Sequence, residues 1–220
     1  MTDGPDMEDY GFSIGFVSSA MVSEEPENYL IEIEGEILAS GDDVENILAG
    51  KLRLFYADLD EAARAGYDLS TILDMRAETC PFISLFDSKT HEFKESVRRI
   101  ADDPMSPNLL ILDRVEILPA FRGKGLGLAS LYRCIQQYGH GCGLIALKCF
   151  PLQFEAAKRS GPDEWDRKME TAQMGRNQRA CQMKLEGYYS RLGFERVGRT
   201  ELMVMNPDFV HPGLEELGFS

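Results

Sequence analysis

Residues 115–127 read Val-Glu-Ile-Leu-Pro-Ala-Phe-Arg-Gly-Lys-Gly-Leu-Gly and close an apolar run that begins at Asn108. That run, Asn108-Leu-Leu-Ile-Leu-Asp-Arg-Val-Glu-Ile-Leu, predicts a central strand. Pro119 has no N–H to give a ladder and ends it. Helical spacing begins at Leu126, with Leu128, Leu131, Ile135 and Tyr138 on one apolar side, and Gly139 and Gly141 stop it. A second buried strand follows, Gly143-Leu-Ile-Ala-Leu-Lys-Cys-Phe, ended by Pro151. Strand, glycine-rich turn, helix and strand make one βαβ crossover, expected to be right-handed.

The turn between strand and helix is where chemistry is expected. A helix start leaves backbone N–H groups without partners, and the helix dipole adds partial positive charge there. Gly123, Gly125 and Gly127 let a ligand approach that backbone closely, while Arg122 and Lys124 add charge. The result is an anion cradle, and a pyrophosphate is its natural guest. It is not the G-x-x-x-x-G-K-[ST] phosphate loop, and its glycines are spaced two and two rather than as G-x-G-x-x-G. Taken alone, the loop also reads as a ligand-free glycine turn.

Outward from this unit, the segment Tyr29-Leu-Ile-Glu-Ile-Glu-Gly-Glu-Ile-Leu38 alternates. Ile31, Ile33 and Ile37 oppose Glu32, Glu34 and Glu36, which predicts a strand with one solvated face. Residues 51–58 form a second strand candidate, residues 61–75 turn helical, and residues 91–100 suit a short helix carrying Phe93, Val97 and Ile100. Residues 1–12 read as a loose tail. Residues 151–181 are polar, carry Trp165, and read as an insertion containing helix. A helix ending at Leu192-Gly193 and two short strands, 194–197 and 201–205, complete the chain. The whole, residues 1–220, is expected to form one domain.

Composition narrows the function. A formal net charge of −14 disfavours nucleic acid as a partner and suits either solubility or a cationic substrate. No stretch approaches the roughly 20 apolar residues of a membrane span. The acidic start lacks the order of a signal peptide, so a cytoplasmic location is expected. Five cysteines without CxxC spacing read as reduced thiols, and three histidines offer no metal-ligand spacing, so no metal is expected.

Two motifs together resemble the GNAT superfamily of N-acetyltransferases. Arg122-Gly-Lys-Gly-Leu-Gly127 is similar to its R/Q-x-x-G-x-G/A acyl-CoA motif, and Tyr188-Tyr-Ser-Arg-Leu-Gly-Phe194 resembles its Y-x-x-x-G-F signature. The resemblance covers residues 108–150 and 185–205. It implies an α/β (α+β) fold with a mixed, mostly antiparallel central sheet, a splayed strand pair and flanking helices. It further implies acetyl-CoA as co-substrate. The backbone of Ile117 and Leu118 would pair with the pantetheine arm, and Arg122, Gly123, Lys124, Gly125, Leu126 and Gly127 would hold the pyrophosphate. A neutral primary amine would attack the thioester directly, with the oxyanion held by a strand N–H.

Tyr189 is at the position of the tyrosine that protonates the leaving thiolate; Tyr188 beside it reads as core, with the reverse assignment left open. For the general base, Asp113 is preferred to Glu116. A regular strand puts those two on opposite faces, and a β-bulge would change that. Three departures concern the acceptor side: Gln182 where the family often carries Asn, the insertion after Pro151, and Cys149 at the end of its strand. Cys149 reads as a structural thiol, with an acyl-cysteine route as the rarer alternative. The expected function is acetyl transfer from acetyl-CoA to a small-molecule or protein amine by a monomer or homodimer, without nucleic acid or membrane. The alternative is a non-catalytic acyl-CoA sensor or scaffold. A toxin-type enzyme acting on charged tRNA is disfavoured by the acidic charge.

Overall fold

The structure, a computed structural model, describes residues 10–42, 44–155, 163–209 and 211–219. Its centre is the strand read from the apolar run, β4 (Leu109–Ile117). Along it Leu109 and Ile111 face one core, while Leu110 and Leu112 face another. Burial on both faces is why the run looks continuously apolar in the sequence. β5 (Leu144–Lys148) divides the same way, with Leu144 and Ala146 on one side and Ile145 and Leu147 on the other.

Among the described residues seven strands form one sheet in the order β1-β2-β3-β4-β5-β7-β6. Strands β1 (Gly11–Ser18), β2 (Leu30–Gly41), β3 (Val44–Ala57) and β4 pair antiparallel in sequence. β4 and β5 are parallel, and β5 continues antiparallel to β7 (Leu202–Met205), which pairs with β6 (Glu195–Arg196). The fold is thus mixed α/β with a mostly antiparallel open sheet. No helix among the described residues is long and apolar enough to cross a membrane.

Helices cover both faces. α4 (Leu126–Tyr138) lies between β4 and β5 in the chain and buries Leu126, Leu128, Leu131, Cys134 and Ile135. Phe16 of β1 meets Tyr138 of α4 edge-on with ring centroids 5.1 Å apart. On the other face lie α1 (Leu59–Arg64), α2 (Leu69–Leu73) and α3 (Glu95–Ala101). The helix expected over 61–75 is therefore two. Gly66 takes φ +87° between them, and Asp68 caps the second through the Ser70 N–H. The N-terminal boundary also moves. Gly11 and Phe12, expected in a tail, open β1, and its Phe12, Ile14 and Phe16 are half-buried on one side of the sheet edge. Residues 1–9 lie outside the described residues. β3 begins at Val44, seven residues before the expected start at 51.

The insertion contains a short helix, α5 (Glu164–Lys168), closed by a capping box between Asp163 and Asp166. α6 (Gln178–Ser190) then returns the chain to the sheet. Residues 156–162 of the insertion lie outside the described residues.

All five thiols are free, and burial pushes Cys134, Cys142 and Cys149 from 9.0 up to about 12. A folded pKa above the unfolded one gives a contribution complete below pH 9 and lost as pH rises towards 12. Each pH unit in that window costs about 1.4 kcal/mol per thiol. Urea midpoints should therefore fall steeply above pH 9, and Cys134→Ala should flatten that slope; a pH-independent midpoint from 8 to 10.5 would contradict it.

Candidate active site

β4 and β5 keep company only as far as the pair Leu112↔Leu147. β4 continues against β3 to Ile117, so its second half has a β3 neighbour on one edge and no β5 neighbour on the other. The parting coincides with an irregularity. Arg53 of β3 is opposite Arg114 and Leu54 is opposite Leu112, which leaves Asp113 as an extra residue on β4. Its carboxylate accepts a 2.7 Å hydrogen bond from Arg53 Nε. Register partners share a face, so the bulge turns Asp113 onto the side of Arg53 and Arg114 instead of the opposite one.

The gap opens into a cavity of about 1150 Å³. Ile117, Arg122, Gly123 and Gly127 reach it from β4 and the loop, and Tyr188 and Tyr189 reach it from α6. Arg53, Arg114, Arg122, Lys148 and Lys184 outnumber Glu78, Asp113 and Glu155 on its walls, in a chain whose formal charge is −14. Burial lowers the Arg53 guanidinium, but Asp113 and then Glu78 more than reverse this and hold it above its ordinary value. Arg53 and Arg114 are engaged by carboxylates, Arg53 by Asp113 and Glu78, Arg114 by Glu116 and Glu155. Arg122 makes no ion pair among the described residues. Burial holds its guanidinium below the ordinary arginine value, against the fields of Glu170 and Glu116.

The loop reaches the cavity unevenly. Gly125 is the N-cap of α4 at φ +83°, a conformation that needs glycine, and no side chain caps the helix from that position. The Tyr188 hydroxyl of α6 lies against this first turn, within the field of the Leu128 N–H. A Cβ on Gly127 would run into that same oxygen. The glycine at 127 thus makes room for a side chain from another helix. Burial pushes Tyr188 up to about 12, moderated by Arg191 and by Leu128. Both phenols line the cavity, Tyr188 packed against the start of α4 and Tyr189 beside it. Burial, then Tyr188 and Cys149, raises Tyr189 above the ordinary tyrosine value, so it stays protonated.

Several candidate residues stand apart from the cavity wall. Leu118 has both backbone groups engaged within the fold: its N–H donates to the Ala49 carbonyl, and its carbonyl accepts from Phe121 N–H. Glu116 is 9% exposed and accepts from Trp165 Nε1 at 2.8 Å and Arg114 Nη1 at 3.1 Å, beneath the insertion. Leu126 is buried in the core, Gly125 packs below the Gly218 carbonyl and Phe219, and Lys124 is exposed. Cys149 is buried, and burial, then Glu186, pushes its thiol up to about 12, which opposes a nucleophilic role. No group of three or more metal-ligating side chains occurs among the described residues.

Arg53 and Arg114 were not legible as site residues. They occupy polar positions on strands, and although Glu116 is two residues from Arg114, the partners that tie them across the site are distant, Glu155 by 41 residues from Arg114 and Asp113 by 60 from Arg53. Compared with known proteins, the chain matches no family model, no curated protein and no solved structure.

The Gly127–Tyr188 contact makes a coupled prediction. Gly127→Ala should destabilise by about 1–3 kcal/mol through overpacking, and Tyr188→Phe by about 1 kcal/mol or less through loss of a half-buried hydroxyl. The double variant should lose clearly less than the sum, because removing the hydroxyl vacates the space the methyl needs. Urea unfolding of the four proteins measures this, and strict additivity would contradict it.

Proposed function

We propose that this chain is an acetyl-CoA-dependent N-acetyltransferase of the GNAT type, acting on a primary amine of a small molecule or protein. The observation that carries the reading is one arrangement. The unpaired half of β4 leads directly into the glycine loop that opens α4, and Tyr189 stands across the same cavity. The cavity fits the donor: an unpaired strand edge suits an amide-bearing arm, and a helix start with surplus basic side chains suits a pyrophosphate. Ile117, Gly123 and Gly127 are the loop and strand residues in place to hold it, with Arg122 beside them. Acetyl-CoA supplies the activated acyl group.

The remaining roles belong to the chain. The bulge at Asp113 frees a β4 amide from the β3 ladder, and such an N–H is suited to hold developing negative charge on the acyl oxygen. Asp113 is the base in this reading. Arg53 engages its Oδ2, and Oδ1 has no protein partner among the described residues and is left to take the amine proton, directly or through water. Glu116 is held by Trp165 and Arg114 and takes no part. Tyr189 donates the proton that the departing thiolate requires. Five free thiols suit a reducing compartment such as the cytoplasm.

The test is acetyl-CoA turnover against an amine panel, read as free thiol released. Tyr189→Phe should lower kcat by about 10²-fold while CoA affinity, measured by calorimetry, is retained. Tyr189 lies above the ordinary value of 10.0, so its donating form persists past that pH and its own titration causes no loss of kcat below it. Unchanged turnover in Tyr189→Phe would remove it as the acid. CoA binding without turnover of any amine would favour a non-catalytic acyl-CoA-binding module.

A further inference from the structure

The insertion is attached to the cavity through a residue of the glycine motif. Arg122 Nε donates to the Ile117 carbonyl at 2.6 Å, on the β4 edge that faces away from β3. Its Nη2 donates to the Met169 carbonyl at 2.6 Å, at the end of α5, and also lies 3.7 Å from the Met169 sulfur. Met169 is buried, 2% exposed, and it and Met174 are part of the cavity wall. A second attachment lies alongside: Trp165 of α5 donates to Glu116 of β4, and Lys51 Nζ sits 4.9 Å from its ring centroid. The insertion therefore docks on the unpaired half of β4 rather than hanging from the loops that bound it.

The partners of Arg122 are neutral. A half-buried guanidinium held by two carbonyls and a thioether keeps its whole charge, and Nη1 has no partner among the described residues. Carbonyl acceptors fix the group in place without neutralising it, which leaves it ready for an anion beside Gly123. An anion on Nη1 requires neither of the other two contacts to break. Three bodies then share one guanidinium: the end of β4, the insertion and the bound anion.

We propose that the described part of the insertion around α5, from Trp165 to Met174, is a wall of the donor site, joined to the anion through Arg122. The proposal rests on the donor reading given above. Binding and docking are then linked, and each strengthens the other by the same factor. Arg122 acts as a positioning residue for the insertion as well as a ligand. An insertion that served only the acceptor would be indifferent to the donor.

Trp165 is the only tryptophan in the chain, so its fluorescence reports on α5 alone. Acrylamide quenching of the full chain, titrated with CoA and followed in parallel by calorimetry, tests the linkage. CoA should protect Trp165, lowering the quenching constant in step with calorimetric saturation. Hydrogen exchange in residues 163–175 should slow with the same midpoint. Arg122→Met keeps the alkyl stem; it should weaken CoA by about tenfold and abolish the Trp165 response at saturation. Arg122→Lys, which keeps the charge without the fork, should recover part of the affinity but not the response. CoA heat with unchanged quenching and exchange in the wild-type chain would overturn the linkage and leave the transferase reading standing. Absence of any CoA heat would overturn both.

Discussion

The ion pair between Arg53 and Asp113 at the β4 bulge is the contact on which the site depends. An extra residue in one strand bends it and sharpens its twist, and here it falls where β4 leaves β5. Arg53 reaches across from β3 to hold the bulged carboxylate, and Glu78 engages the same guanidinium at 3.3 Å. Side-chain exposure of 28% for Arg53 and 15% for Asp113 keeps the pair partly out of water, so losing either member leaves a charge the surroundings cannot solvate. The bulge and the end of the β4–β5 ladder thus fall at neighbouring residues, Asp113 and Leu112.

A second constraint sits at the start of α4. Helices there normally rely on a Ser, Thr, Asp or Asn side chain at the N-cap. In this chain Gly125 holds that position, keeping the backbone open to a ligand, and the Tyr188 hydroxyl of α6 packs against the first turn at Gly127. That contact ties the start of α4 to α6. The cavity carries more basic than acidic side chains in a chain of net charge −14 because carboxylates such as Glu34 and Glu36 of β2 lie on outer faces, while Arg122, Lys148 and Lys184 line it.

The β4–α4–β5 unit was legible in the sequence because its residues obey one rule at a time: burial on both faces for the strands, one apolar stripe for the helix, proline and glycine at the joints. β2 was legible by its isoleucine and glutamate alternation, which burial of Ile33 and Ile37 reproduces. β1 was not, since Gly11, Ser13 and Gly15 hide the alternation of Phe12, Ile14 and Phe16 behind residues typical of loops. At the site, the sequence pointed to Arg122, Gly123 and Gly127 by their spacing and to Ile117 and Tyr189 by the family resemblance, and all five line the cavity. It could not show that Leu118 has both backbone groups engaged, that Glu116 lies under Trp165, or that Arg53 holds Asp113. Those facts depend on contacts between segments far apart in the chain, and no local pattern records them.

The most direct measurement is a calorimetric titration of CoA into the full chain, with wild type beside Gly123→Pro at the cavity mouth. The account predicts saturable one-to-one binding to the wild type, weakened by at least about tenfold in the variant, which loses an N–H and the positive φ of Gly123. No heat of binding from the folded wild-type chain at millimolar CoA would contradict it.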